Sequence, residues 1–495
     1  MRKDGIKVLL VLANTSMDNL VPLGVSILSA CLKQVGHEVR LFDTTFYQTR
    51  EKTGDEKRIE TLQVKYTNLA DFGIAPKKTD IVSDFKKQVD AFKPDLIGVS
   101  VVETTYLIGL RLLEAIKGSG VLTIMGGIHV TFSPQDVIKE PAVDIICTGE
   151  GEKAIVELAN RLKDGKTYTD IPNLWVKKED KVYKNPAGPL VNLDELPEQD
   201  WTIYEKERFY KPMGGKIYIA GVFEVNRGCP YVCAFCCNEG LRDVYREQGR
   251  YYREKNMDIV MKEMRVKKEQ YNLQYSYIMA ENFLLMDQER FNKFIKHYKD
   301  IRLPFWIETR PESVTEERLL KLAEVGCEGL TIGVECGNHE FRKKVLRRNV
   351  ANTAIIKALQ IAKKTKIRTC VNNIIGFPTE TRDLIFETIE LNRELQADNV
   401  IVNIFSPYRG TRLRQLCIEK GYLDPHALAG DYRSDAIVRM PHLTPEQIQG
   451  LHRTFVMYVR FPKKMWPEIE KCEKFDEQGS RVFEQLRKTY LQNYF

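Results

Sequence analysis

The sequence of 495 residues lacks the features that mark secreted, membrane-spanning or strongly charged proteins. Residues 1–13 are too short for a signal peptide, carry no cleavage site, and are predicted to be a first strand instead. No apolar run approaches the roughly eighteen residues that a membrane-spanning helix needs. The 75 basic residues exceed the 68 acidic ones by only seven, which is weak support for nucleic acid binding. We therefore expect a cytoplasmic protein with no transmembrane segment and no nucleic acid partner.

A disulfide framework is also missing. The chain has eleven cysteines, an odd number, and only three of them are regularly spaced. Most of the others lie singly in apolar or helical contexts, as buried free thiols do, which is typical of a reducing compartment. These isolated residues are Cys31, Cys147, Cys327, Cys336, Cys370 and Cys417.

The regularly spaced set is Cys229, Cys233 and Cys236, in the order C-x3-C-x2-C directly after the apolar run 218–225. Soft thiolate ligands at this density select an iron–sulfur cluster or zinc. A [4Fe–4S] cluster held entirely by protein takes four cysteines, so three leave one iron open for another ligand. The alternatives are a zinc knuckle or a group of buried thiols. Structural zinc needs a fourth ligand, and Cys237 adjoins Cys236 too closely to chelate the same metal well, so we interpret it as a packing residue.

This spacing, with Phe235 as the aromatic before the third cysteine, resembles the radical S-adenosylmethionine (SAM) superfamily. The resemblance implies that Cys229, Cys233 and Cys236 hold a [4Fe–4S] cluster whose open iron binds SAM. One electron would then cleave SAM to a 5′-deoxyadenosyl radical. The resemblance also implies an external one-electron reductant, such as flavodoxin or ferredoxin.

The first 165 residues alternate apolar runs with amphipathic stretches, which predicts a doubly wound, Rossmann-like parallel sheet of the flavodoxin type. The predicted strands are residues 7–13, 38–42, 95–101, 121–125 and 143–147, and the predicted helices are 22–35, 105–117, 134–139 and 152–162. Ligands of such sheets bind beyond the carboxyl ends of the strands. The polar insertion 44–80 is expected to form a helical excursion or a flap.

No G-x-G-x-x-G follows the first strand, which makes a dinucleotide a poor candidate ligand. Small and polar residues at five strand ends favour a large, flat ligand instead. Together with Pro22-Leu23-Gly24, they resemble the cobalamin-binding subclass of the superfamily, and the resemblance implies cobalamin as methylcobalamin. The implied contacts are Asn14, Thr15, Ser16, Glu103, Thr104, Thr105, Gly126, Gly127, His129, Gly149, Glu150 and Gly151.

Two alternatives remain for these residues. His129 could be a hydrogen-bonded structural residue, and the glycines could be ordinary turn residues. The D-x-H-x-x-G motif, whose histidine ligates cobalamin in other B12 enzymes, is absent, so the lower axial ligand stays open.

Residues 166–215 are rich in turns and are predicted to form a linker or strap, with a small hairpin at 175–183. From residue 216 to 420, six strand–helix units predict a partial (βα)6 barrel of the TIM type, with function at the carboxyl ends of its strands. The predicted strands are 218–225, 275–279, 304–307, 329–334, 369–375 and 399–405.

Motifs at these strand ends are the candidate SAM contacts. They are Phe235, Glu281, Asn282, Arg310, Glu335, Gly376 and Phe377. Glu335 is expected to accept hydrogen bonds from the ribose or to offset positive charge, and Arg310 to hold a carboxylate bidentately. Gly376 would allow close approach of the adenine. The alternatives are a solvated carboxylate, a surface ion pair and a plain turn, respectively.

Residues 421–495 are predicted to be mostly helical. Their aromatic and basic residues favour a helix packed on the barrel, with a substrate cap or peripheral membrane contact as alternatives.

The resemblance implies a cobalamin-dependent radical SAM enzyme, in our interpretation a methyltransferase acting on an unactivated carbon. The substrate carbon would lie between the cysteine loop and the cobalamin domain. One alternative is a relative that cyclises, oxidises or rearranges its substrate without methyl transfer. A second is a non-catalytic iron–sulfur or cobalamin sensor. A methylthiotransferase is disfavoured, because it needs three further cysteines in the first domain and only Cys31 and Cys147 are present there. The motifs do not distinguish a small molecule, a lipid or a peptide as substrate.

Overall fold

The computed structural model describes residues 5–494, which form two compact units. The first contains the described residues up to Thr53, then Asn68–Lys211 and Gly240–Ile259. The second contains Gly54–Thr67, Pro212–Glu239 and the described residues from Val260 onward. Both units are therefore built from segments that are discontinuous in sequence.

The first unit is built on a seven-stranded sheet in the order β2-β1-β3-β4-β5-β6-β7. Its strands are β1 Lys7–Leu12, β2 Glu38–Asp43, β3 Leu96–Ser100, β4 Leu122–Gly126, β5 Ile145–Cys147, β6 Leu174–Lys178 and β7 Lys181–Lys184. The first five pair in parallel, which confirms the doubly wound prediction. β6 and β7 form the predicted hairpin, and they also extend the sheet in antiparallel pairing, which was not predicted.

Seven helices are found in residues 5–165. They are α1 Leu23–Gln34, α2 Gly54–Glu60, α3 Ile81–Phe92, α4 Tyr106–Glu114, α5 Ile128–Phe132, α6 Pro134–Val137 and α7 Glu152–Asp164. The first helix was predicted to begin at residue 22, and Pro22 instead precedes α1 as its N-cap residue. α3 was not predicted. It begins where the Asp80 side chain accepts a hydrogen bond from the Ser83 amide, and it buries Phe85, Val89 and Phe92.

The polar insertion forms α2 and one 3-10 turn at Leu69–Phe72, which agrees with the prediction of a helical excursion. Its middle part, Gly54–Thr67, belongs to the second unit. There Lys57 pairs with Asp431 at 3.0 Å, and the Val402 amide donates to Gln63 Oε1 at 3.0 Å. This middle part therefore supports the barrel rather than the sheet that precedes it in sequence.

The second unit contains a curled seven-stranded sheet in the order β16-β15-β14-β13-β12-β9-β8. The remaining strands of the chain are β8 Tyr210–Met213, β9 Lys216–Glu224, β10 Asn226–Arg227, β11 Arg253–Glu254, β12 Tyr275–Met279, β13 Phe305–Thr309, β14 Cys327–Glu335, β15 Arg368–Ile375 and β16 Asn399–Ile404. Six of them, β9 and β12 to β16, pair in parallel and correspond to the six predicted strands. The predicted partial barrel is thereby confirmed, and β8 adds an edge strand.

The helices that complete the chain follow the same alternation. They are α8 Asn238–Val244, α9 Met257–Tyr271, α10 Gln288–Ile301, α11 Glu316–Glu324, α12 His339–Lys344, α13 Asn352–Thr365, α14 Arg382–Leu395, α15 Arg412–Glu419, α16 Pro445–Arg460, α17 Trp466–Lys471 and α18 Glu477–Tyr494. In the tail, α16 buries Phe455, Met457 and Tyr458, and Arg393 of α14 donates to the carbonyl of Tyr458 at 2.7 Å. The tail therefore packs on the barrel, as favoured from the sequence. Within residues 5–494, no helix is both long and apolar enough to cross a membrane.

Hydrogen bonds from Arg208 anchor the segment that was predicted to be a linker to the first unit. Its side chain is only 1% exposed and lies among backbone carbonyls of the first unit. It donates to the carbonyl oxygens of Asp18 at 2.8 Å and Leu20 at 2.7 Å, and its Nε lies 3.6 Å from Asp43 Oδ2. The linker residues up to Lys211 are therefore part of this unit.

We expect Arg208→Met to destabilise the first unit by ~3–5 kcal/mol, because it removes the ion-pair partner of Asp43 and leaves two partly buried carbonyls without their donor. The matched control is Arg246→Met, whose guanidinium is 76% exposed and pairs with Asp243 on the surface. Its effect should stay below ~1 kcal/mol. Calorimetric unfolding of both variants measures the difference, and equal losses would contradict the structural role of Arg208.

Candidate functional site

The three regularly spaced cysteines lie in a loop after β9, and backbone bonds hold the middle of that loop. Gly228, just before Cys229, has a φ of +85°, a conformation that glycine adopts without strain. The Ala234 amide donates to the Leu346 carbonyl at 2.9 Å, and the Ala234 carbonyl accepts from the Leu413 amide at 3.0 Å. Two later segments of the barrel therefore position Cys233 and Cys236.

The three thiols lie close together and none forms a disulfide. The pKa of the Cys229 thiol is raised to about 11, mainly by burial, and the nearby Glu281, Cys236 and Cys233 contribute to the rise. Each thiol also has an N–H donor beside it. The Tyr231 amide donates to the Cys229 thiol. Arg310 Nη1 donates to Cys233 Sγ at 3.4 Å, and Asn238 Nδ2 donates to Cys236 Sγ at 3.4 Å.

Within the described part of the chain, no three His, Cys, Asp or Glu side chains converge on a single metal-ion position. The cysteine ligands of a cubane bind different irons and need not converge on one point. Three clustered thiols with N–H donors directed at sulfur are therefore a donor set that fits a [4Fe–4S] cluster.

Glu281 and Asn282 follow β12 and have different surroundings. The Glu281 side chain is accessible to water, yet protein atoms surround it and raise its pKa, while a hydrogen bond from Asn238 Nδ2 at 3.2 Å lowers it. Asn282 is buried and accepts from Thr309 Oγ1 at 2.7 Å and from the Arg310 amide at 3.3 Å. Glu281 is thus free to meet a ligand, whereas Asn282 holds the loop after β13.

Arg310 is 7% exposed and contacts the cysteine loop. Besides Cys233, it pairs with Glu312 through Nε at 2.5 Å, and its guanidinium lies 3.7 Å from the centre of the Tyr231 ring. The sequence predicts that Arg310 holds a carboxylate bidentately, and the structure shows the guanidinium beside Cys233.

Glu335 ends β14 with a φ of +67° and lies inside the barrel. Burial raises the pKa of its carboxyl, and the guanidinium groups of Arg348, Arg310 and Arg342 lower it. Of the residues 5–494, none donates a hydrogen bond to this carboxylate. Its lone pairs are therefore available to a bound hydroxyl or amine.

Gly376 and Phe377 follow β15. Gly376 has a φ of +83°, and a Cβ there would lie 3.0 Å from Ile448, so the chain itself requires glycine at this position. Phe377 is fully buried and packs on Phe235 at 5.9 Å and on Phe405 at 5.3 Å between ring centres. Phe377 therefore backs the cysteine loop, and Phe235 is the more exposed of the pair.

Glu380 belongs to the same loop and was missed in the sequence. Its Oε2 accepts from the Gly376 amide at 2.7 Å and from the Phe377 amide at 3.1 Å, and the residue is fully buried. Burial raises its pKa to about 8, against the lowering effect of the two amides. The signal in the sequence was an acid four residues after the turn glycine, but its burial could not be read there.

In the first unit, the residues assigned to cobalamin mostly shape their own loops. Asn14 Nδ2 donates to Thr45 Oγ1 at 2.8 Å, and Ser16 Oγ donates to the Tyr47 carbonyl at 2.7 Å. Thr15, Glu103 and Thr105 are buried, and the Thr104 carbonyl accepts from Arg50 at 3.2 Å. These residues build the strand ends, and Asn14 and Thr104 remain partly exposed.

The Gly126-Gly127 turn and His129 follow β4. Gly127 has a φ of +108°, and a Cβ there would lie 2.2 Å from the Val101 carbonyl oxygen. His129 is 3% exposed and its ring centre lies 4.4 Å from that of Tyr106. His129 is therefore packed against Tyr106 at this edge of the sheet.

Gly149, Glu150 and Gly151 follow β5 and meet a segment that the sequence did not connect with them. The Glu150 carboxylate pairs with Arg253 at 2.5 Å and accepts from the Val191 amide at 2.9 Å. The Tyr245 hydroxyl accepts a hydrogen bond from the Glu150 amide and lies over Gly149. Residues 240–259, which follow the cysteine loop in sequence, thus complete this edge of the first unit.

Two large apolar side chains stand exposed at the carboxyl end of β3. Val102 is 47% exposed and Leu107 is 60% exposed. They lie beside the central strands of the sheet, at the edge where doubly wound domains bind their ligands. An apolar surface bordered by small polar groups fits the flat corrin ring of cobalamin.

Family models match both units. Residues 223–391 match the radical SAM superfamily, and residues 9–159 match the B12 binding domain. The chain is 28% identical over 431 residues to an uncharacterized methyltransferase of Pyrococcus horikoshii. This match covers 83% of this chain and 88% of the relative. It is 26% identical over 336 residues to the anaerobic magnesium-protoporphyrin IX monomethyl ester cyclase of Rubrivivax gelatinosus, over 65% of this chain and 58% of the relative.

The fold resembles a solved structure over almost its full length. The radical S-adenosylmethionine methyltransferase TsrM from Kitasatospora setae, solved with cobalamin and a [4Fe–4S] cluster, superposes with a TM-score of 0.67. The match covers 99% of this chain and 100% of TsrM, at 15% sequence identity.

The structure combines a doubly wound domain with a partial barrel that has three free cysteines after its first parallel strand. This combination is typical of a radical enzyme with two cofactors. Residues 223–391 are thus a radical SAM domain, and residues 9–159 are a B12 binding domain. Its domains imply a [4Fe–4S] cluster, SAM and cobalamin as cofactors.

Glu380, the buried acid of the Gly376 loop, makes the stability of the fold depend on pH, and this dependence can be measured. Because its folded pKa of about 8 lies above the ordinary value of 4.5, the folded state binds more protons than the unfolded state between these pH values. Glu380 therefore destabilises the fold increasingly as pH rises through that window, by up to ~1.4 kcal/mol per pH unit.

Glu380→Gln stays neutral and keeps an acceptor for the two amides. We expect its melting temperature, relative to wild type, to rise between pH 5 and pH 8. The control is Glu317→Gln, an exposed acid whose pKa is lowered by Lys321, so its difference from wild type should stay constant in this range. A pH-independent difference for Glu380→Gln would show that Glu380 is ionised in the folded state.

Proposed function

We propose that this protein is a cobalamin-dependent radical SAM methyltransferase that methylates an unactivated carbon. The observation that carries the proposal is the set of three free thiols at C-x3-C-x2-C spacing in a chain that also has a B12 binding domain. Such a cluster leaves one iron for SAM, and the second domain supplies a methyl carrier. The relative from Pyrococcus horikoshii, named a methyltransferase, supports this choice.

The bound cofactors would supply a 5′-deoxyadenosyl radical and a transferable methyl group. Cys229, Cys233 and Cys236 would hold three irons of the cluster. The Glu281 carboxylate offers an acceptor to the ammonium group of SAM, and Glu335 offers one to its ribose hydroxyls. Gly376, held by Glu380, lets the backbone approach the adenine.

The carboxyl edge of the first sheet would hold cobalamin. Asn14, Thr104 and the glycine turns would contact its polar side chains, and Val102 and Leu107 its corrin face. We do not include His129 among these contacts, because it is buried against Tyr106.

The cluster needs electrons from outside the chain, and we propose a low-potential carrier such as flavodoxin or ferredoxin. All eleven cysteines are free thiols, which supports a reducing, cytoplasmic location.

A second candidate uses the same cofactors for cyclisation or another rearrangement without methyl transfer. The relative from Rubrivivax gelatinosus, named a cyclase, favours this alternative. Its overlap with this chain is smaller, at 65% of the chain against 83% for the methyltransferase relative. We therefore keep methyl transfer as the main proposal.

Single alanine substitutions at Cys229, Cys233 and Cys236 test the cluster. After anaerobic reconstitution, we expect each variant to lose most of its iron, its sulfide and the broad visible absorbance of the cluster. SAM cleavage to 5′-deoxyadenosine should fall at least ~100-fold, because no open iron remains to bind SAM. Cys237→Ala is the matched control and should keep both. If Cys237→Ala loses the cluster while the variants of Cys229, Cys233 and Cys236 keep it, the assignment is refuted.

The reaction is tested by loading the protein with hydroxocobalamin and supplying SAM labelled with ¹³C in its methyl group. We expect a cobalamin band beside the cluster absorbance, and a product in host extracts that is heavier than its precursor by one labelled CH2 unit. Consumption of a substrate without that gain would favour the rearranging alternative. Protein that binds no cobalamin would exclude the methyl-carrier step.

A further inference from the structure

Arg310 makes a contact that its expected role does not explain. Its Nη1 donates to Cys233 Sγ at 3.4 Å, and Cys233 is one of the three cysteines assigned to the cluster. The guanidinium is held in place by Glu312, at 2.5 Å from Nε, and by the Tyr231 ring beneath it. Since Arg310 is 7% exposed, water screens this charge weakly.

The same contacts oppose a bidentate grip on the carboxylate of SAM. A guanidinium binds a carboxylate through two neighbouring N–H groups on one edge. One edge of Arg310 has its Nε engaged by Glu312, and the other has its Nη1 engaged by Cys233. A bidentate ligand on either edge would have to displace one of them.

We propose that Arg310 is a positioning residue of the iron–sulfur cluster, which raises the cluster's reduction potential through its charge and its hydrogen bond to Cys233. This inference rests on the proposed function, because it requires the cluster. Reduction from the 2+ to the 1+ state adds one electron from an external reductant and makes the cluster and its sulfurs more negative. A nearby cation and an N–H donor stabilise that reduced state more than the oxidised one.

A substitution of Glu312 should change the reduction potential of the cluster in the opposite direction. Its carboxylate is 32% exposed and partly cancels the charge of Arg310. Glu312→Gln keeps an acceptor for Nε and removes the negative charge, so the cation beside Cys233 is less compensated. The two residues should therefore shift the potential in opposite directions.

The test is an EPR-monitored redox titration of the reconstituted protein with dithionite, without SAM, cobalamin or substrate. We expect Arg310→Gln to move the midpoint potential to more negative values, Arg310→Lys to move it less, and Glu312→Gln to move it to less negative values. Iron and sulfide contents show that each variant holds a full cluster. The matched control is Arg318→Gln, whose guanidinium binds the Leu284 and Met286 carbonyls, at 2.7 Å and 3.0 Å, and should leave the potential unchanged.

An unchanged midpoint in Arg310→Gln, with weaker SAM binding, would make Arg310 a SAM ligand and overturn the inference while the proposed function stands. If Arg310→Gln loses its cluster, the midpoint potential of Glu312→Gln tests the inference instead. A midpoint potential of Glu312→Gln that is unchanged or more negative than that of wild type overturns the inference. A wild-type protein that assembles no cluster would overturn both the inference and the proposed function.

Discussion

Parallel strand pairing is the constraint on which both units depend. Because neighbouring parallel strands run in the same direction, their carboxyl ends meet at one edge, and each needs a helical crossover to return. β9 and β12 to β16 thereby bring the cysteine loop, Glu281, Arg310 and Glu335 to one barrel mouth, although more than a hundred residues separate the first from the last. In the first unit the same geometry groups the ends of β1, β3, β4 and β5. No local propensity could assemble either site.

Within the barrel, two buried carboxyl groups at strand ends have different partners. Glu335 lies among three guanidinium groups without a hydrogen bond from the described residues, and Glu380 is committed to two backbone amides. Burying either carboxyl costs free energy, and burial raises the pKa of both. Glu335 keeps its acceptors for a ligand, whereas Glu380 uses one oxygen to fix the loop. Similar residue types at similar strand ends therefore have different roles, decided by their partners.

Several residues assigned from the sequence have protein partners that the sequence does not indicate. Arg310 was expected to hold a carboxylate, and in the structure it donates to Cys233; Phe377 was expected to contact SAM, and in the structure it packs on Phe235. Glu150 was expected to contact cobalamin, and in the structure it pairs with Arg253. In each case the partner lies 77 to 142 residues away in sequence.

The sequence by itself determined the five parallel strands of the first sheet, the six parallel strands of the barrel and the position of the cysteine loop. Apolar periodicity and the spacing of Cys229, Cys233 and Cys236 are local properties of the chain. Only the tertiary structure decided that the insertion 54–67 supports the barrel, that residues 240–259 complete the first unit, and that Glu380 is buried. These features depend on contacts between distant segments, whose geometry is set by packing, because a side chain's partners and burial are defined only once the strands have assembled.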